Sequence, residues 1–110
     1  MTSALAPLTT TYLAAAQAQG YAASTLASRR LHLGQFGEWC DARGLLSADA
    51  ITPAVLERYR AWLFQRRQPD GAPLSWATQA NKLTSVRMLL AWATRTKRLT
   101  VNPAAELELP

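Results

Sequence analysis

Cysteine and histidine are nearly missing from this chain of 110 residues, with Cys40 and His32 the only ones. One thiol closes no internal disulfide, and one thiol with one imidazole builds no Cys/His zinc cluster. Disulfide scaffolds and zinc modules are therefore excluded, and a reducing, cytoplasmic setting fits. Val and Ile are scarce too, confined to Ile51, Val55, Val86 and Val101. Strands draw on alternating runs of such residues, whereas this chain is rich in Ala, Leu, Arg and Gln, so the fold class expected is all-α. No apolar run approaches the roughly 18 residues of a membrane span, and Met1 to Pro7 lack the basic segment and apolar stretch of a secretion signal.

What is present is a core's worth of apolar side chains, 49% of the residues with four tryptophans among them, on a chain of single-domain length. The formal charge is +5. Its layout says more than its sum. All twelve Lys and Arg fall between Arg29 and Arg98, where Glu38, Asp41, Asp49, Glu57 and Asp70 are the acids, and Glu106 and Glu108 stand in the tail. A basic middle is an electrostatic footprint for a polyanion, although many soluble proteins are basic without binding one.

Helical spacing organises the chain. Leu8, Tyr12, Leu13 and Ala16 predict a first helix over 8–19, stopped by Gly20 in the left-handed conformation. Ser24 is the expected N-cap of a second helix over 25–43, with Leu26, Leu33, Phe36 and Cys40 on one stripe and Gly44 after it. Thr52-Pro53 opens a third helix, buried through Val55, Leu56, Tyr59, Trp62 and Leu63 and running to Arg67. Residues 68–74, with Asp70-Gly71 and two prolines, read as a turn. Ser75 caps a fourth helix over 76–96, and Asn102-Pro103 closes the fold.

Two of these helices change character along their length. At about 100° per residue, Thr25, Ser28, Arg29 and His32 share one sector of the second helix with Phe36 and Trp39 further on. In the fourth helix Thr78, Asn81, Lys82 and Ser85 share a sector with Leu89 and Trp92. Helix N-termini offer N–H groups and a positive dipole end to phosphates, and short polar side chains suit base edges. The candidate DNA face is therefore Ser24, Thr25, Ser28, Arg29 and His32 on the second helix, with Ser75, Thr78, Gln79, Asn81, Lys82 and Ser85 on the fourth. Solvated helix fronts, whose Ser and Thr reflect capping preference, give the same pattern, and periodicity leaves both readings open.

Ser24-Thr25-Leu26, Leu33, Phe36 and Trp39 resemble the phage-integrase signature S-x-T-L…L-x-x-F-x-x-W/L, with a slightly shifted start. Ile51-Thr52, Leu56, Tyr59 and Trp62-Leu63 are similar to its third-helix segment. Pro73-Leu74-Ser75, Thr78, Lys82 to Arg87, Leu89-Leu90, Trp92 and Asn102-Pro103-Ala104 resemble L-S-x-x-T…L-S-x-L-R-x-F-F-x-W…N-P-A. The resemblance to tyrosine recombinases spans nearly the whole chain in the right order. Arg29, where the family often has Tyr, and His32, where it often has an acid, depart from the pattern and make the second helix more basic.

The resemblance implies a four-helix, SAM-like orthogonal bundle serving as the core-binding domain over 1–105, with 106–110 starting a linker to an absent catalytic domain. It further implies double-stranded DNA as partner, with the second and fourth helices over the major groove, and protomers of the same recombinase in a synaptic tetramer. The first helix is the candidate for protomer contacts, and the isolated domain is expected to be monomeric. The family's chemistry needs a tyrosine nucleophile, two arginines and a His-x-x-Arg pair. Here the only histidine stands in His32-Leu33-Gly34-Gln35, and Tyr12, Tyr21 and Tyr59 sit at packing positions. No catalytic residue, cofactor or metal is expected. The competing expectation is a helical protein–protein interaction module working through its Ala-rich first helix and an exposed Trp76.

Overall fold

The computed structural model describes residues 3–110. Four helices follow one another: α1 (Ala6–Ala18), α2 (Ala23–Asp41), α3 (Pro53–Gln65) and α4 (Trp76–Arg95), with a short 3₁₀ turn at Ala48–Ala50 before α3. The all-α class and the number of helices are as the sequence predicts. α1 and α4 both pack along α2, and α3 closes the bundle against α4.

Helix ends follow local chemistry, with two corrections. Thr52 and Ser75 cap α3 and α4, their hydroxyls accepting from the Val55 and Thr78 amides at 3.2 and 3.1 Å. The same role does not fall to Ser24. α2 opens at Ala23 behind an extended Ala22 (φ −61°, ψ 146°) with no side-chain cap, because the link from Gly20 is so short that the chain enters the helix at once. Ser24 thus lies inside the first turn. α3 stops at Gln65 rather than Arg67, since Arg66 is extended (ψ 147°) and Arg67 pairs with Pro73 across a tight turn. Gly71 at φ +86° and the Asp70 carboxylate, accepting from the Ala72 amide at 3.0 Å, hold that turn.

α1 ends at Gly20 (φ +89°), as expected. α4 ends on the same kind of bonding, the Arg98 amide donating to Ala93 O at 2.8 Å and that of Lys97 to Thr94 O at 3.1 Å, but with Lys97 itself at φ +67°. A lysine there accepts a backbone conformation that glycine takes without strain.

The core joins an aromatic cluster to an aliphatic row, with a second aromatic pair, Tyr12 and Trp92, 5.5 Å apart between α1 and α4. Phe36, Trp39 and Trp62 surround Tyr59 at ring distances of 4.8, 5.0 and 5.8 Å, which joins α2 to α3. Leu83, Val86, Leu89 and Leu90 are fully buried along α4. The Tyr59 hydroxyl is buried without a hydrogen-bond partner, and its pKa lies well above the usual phenol range through burial. The Cys40 thiol is pushed up to about 12, first by burial and then by Asp41, so it behaves as a small core hydrophobe. Packing continues past residue 105, with Leu107 in the core and Leu109 against it.

Candidate nucleic-acid interface

In α2 no residue before Leu33 is buried. Its first ten residues form a spur of exposed and half-buried side chains, from which Leu26 packs against the core. Without a side-chain cap, the amides of its first turn carry the partial positive charge of the helix end with no side-chain acceptor on them. The middle of α4 runs beside this spur.

Between them lies an open hollow of about 300 Å³, lined by Ser24, Thr25, Ser28, Arg29, His32, Asn81, Thr84 and Ser85. Seven of the eleven residues singled out from the sequence thus converge on one surface, and no acidic side chain lines it. Thr84 is the residue the angular sector missed; it flanks Asn81 one helical turn on, and that i, i+3 neighbourhood was its only signal.

The polar groups here are held, not loose. Arg29 donates to the Tyr12 hydroxyl and lies over the Tyr21 ring at 4.8 Å, so α1 and the link after it fix the guanidinium at the rim. His32 Nδ1 lies 2.9 Å from Ser85 Oγ, and Ser85 Oγ lies 3.2 Å from the Asn81 carbonyl. Burial first, and then the Lys82 ammonium, lower the His32 pKa below its ordinary 6.5, so the ring is neutral near pH 7.

Four expected site residues lie elsewhere. Lys82 turns from the hollow to donate to Gln35 Oε1 and lines a second cleft, of about 420 Å³, with Arg43 and Arg66. Its pKa is lowered by burial and then by Arg66. Ser75 and Thr78 bond each other, hydroxyl to hydroxyl at 2.9 Å, at the start of α4. Gln79 is 4% exposed, and its amide donates to Leu74 O at 3.0 Å, which pins the connection to the helix. Ser85, at 3% exposure, is likewise buried and meets the hollow beside His32.

Three further cations have aromatic partners. Arg43, Arg66 and Arg98 lie over Trp39, Trp62 and Trp92 at 4.2, 4.5 and 4.4 Å. Of the three tyrosines expected at packing positions, Tyr12 and Tyr59 are buried, and Tyr21 is half-buried beneath the Arg29 guanidinium. Among the described residues no group of three or more His, Cys, Asp or Glu could hold a metal, and no helix is long and apolar enough to cross a membrane.

No family model matches the chain, and no solved structure matches it significantly. Among curated proteins, it is 41% identical over 91 residues to Tyrosine recombinase XerC 2 of Ralstonia nicotianae. The aligned stretch is 83% of this chain and 26% of that relative, so the chain spans about a quarter of its relative's length. Joined to the ordered motifs and the all-α bundle, this similarity places the chain in the tyrosine recombinase family.

Proposed function

We propose that this chain is a non-catalytic, duplex-DNA-binding module of a tyrosine recombinase that clamps one half of a recombination site through the α2 spur and the adjoining face of α4. The observation that carries the reading is the acid-free hollow on which seven sequence-chosen residues converge, beside an uncapped helix N-terminus. Phosphates then sit at the first turn of α2 and at Arg29, while Ser28, His32 and Asn81 face base edges. Strand exchange belongs to the whole recombinase, with other protomers as further partners through the outer face of α1.

Binding of a fluorescent duplex, measured against salt concentration, tests this. The affinity is expected to fall steeply and log-linearly with salt, and Arg29→Ala to reduce the slope by about one phosphate contact. A melting curve of the variant controls for the lost bond to Tyr12. Phe64 and Trp76, exposed side by side with ring centroids 5.8 Å apart, favour a protein partner instead. Salt-independent association abolished by Trp76→Ala, with no duplex binding, would replace the DNA reading with that one.

A further inference from the structure

The His32–Ser85–Asn81 chain determines which imidazole nitrogen carries the proton, and that decides what the hollow can recognise. The Ser85 hydroxyl is buried and has two neighbours, the Asn81 carbonyl at 3.2 Å and His32 Nδ1 at 2.9 Å. A carbonyl oxygen only accepts, so the hydroxyl donates to it. With its one hydrogen spent, Ser85 Oγ can only accept from His32, which puts the proton on Nδ1. The opposite assignment sets the two oxygens lone pair to lone pair in a buried spot, which leaves a polar contact unmade.

A neutral imidazole protonated at Nδ1 carries a bare lone pair at Nε2. In a ring that lines the hollow, that nitrogen is an acceptor. Phosphate oxygens are acceptors as well and offer it nothing. In the major groove, guanine N7 and O6 and thymine O4 also only accept, whereas the amines of adenine N6 and cytosine N4 donate. We infer that His32 is a base-reading residue whose Nε2 accepts a hydrogen bond from the exocyclic amine of an adenine or cytosine, with Ser85 as the positioning residue that fixes the tautomer. This rests on the DNA reading above and assigns one contact within it to base recognition.

Two measurements on the whole 110-residue chain test it. Long-range ¹H–¹⁵N correlation of the unbound imidazole, slightly above neutral pH, is expected to show an acceptor-type Nε2 and a protonated Nδ1. Ser85→Ala is expected to mix the two tautomers. A proton found on Nε2 overturns the inference. Selection from duplexes randomised along the site is expected to give an A or C preference at one position, reduced about tenfold by His32→Phe and relaxed by His32→Gln. The salt dependence should stay unchanged in both variants. A preference that survives both substitutions overturns the base-reading role while leaving DNA binding intact. Absence of duplex binding by the unsubstituted chain overturns the DNA reading itself, and the tautomer, measured without DNA, separates that failure from the other.

Discussion

The front and rear of α2 occupy the same angular sector yet meet opposite surroundings. At the rear, Phe36 and Trp39 close on Tyr59 and Trp62 from α3. At the front, Thr25, Ser28, Arg29 and His32 border an open hollow. The front of α4 behaves differently again: Gln79 and Leu83 are already buried there, so this helix is anchored from its first turns. One helix keeps its front half-open while the other is buried from its first turns. A bundle can present a polar groove in this way without loosening its core, because the residues that border the groove and the residues that pack lie at different heights along one helix.

Breaking the rear half gives the largest effect. Phe36→Ala removes a fully buried ring and is expected to cost about 3–5 kcal/mol, most of the stability of a small domain, read as a lower midpoint in urea. Next comes the anchored front of α4. Gln79→Ala leaves Leu74 O without its partner and is expected to cost about 1–3 kcal/mol. Asn81→Ala, two residues on and exposed, should stay within about 0.5 kcal/mol. Equal costs at the two positions would erase the distinction between floor and face.

The smallest effect sharpens the comparison through pH. Since the folded state lowers the His32 pKa, folded molecules bind fewer protons than unfolded ones between that value and 6.5. Stability is therefore fully present above pH 6.5 and declines as pH falls through the folded pKa. Unfolding midpoints from neutral pH down to about pH 5 should show the decline, and His32→Gln should flatten it. A profile unchanged by the substitution would mean that the ring is not held as the hydrogen bonds indicate.

Much of this was legible because it rests on local rules. Thr52-Pro53, Ser75, Gly20 and the Asp70-Gly71 turn each have one backbone use, and each is used that way. What escaped depended on distant partners. Ser24 reads as a cap in isolation, but the short link after Gly20 starts α2 two residues earlier. Gln79 shares the polarity of its neighbours, and only the Leu74 carbonyl, placed by the fold, turns it inward. Lys82 meets Gln35 across 47 positions of sequence, beyond any local pattern. The left-handed Lys97 carried no signal, since lysine does not announce that conformation. The apolar stripe of the rear halves was plain, and the split of the polar face into a hollow and a separate cleft was not.

An amide NMR titration of the chain with a short generic duplex, at low and then high salt, tests the central claim most directly. The account predicts shifts clustered at residues 23–32 and 81–85, fading as salt rises and weakened by Arg29→Ala, with Phe64 and Trp76 unmoved. No shifts, or shifts confined to α1 or to the surroundings of Trp76, would contradict it and leave the hollow between α2 and α4 without a ligand.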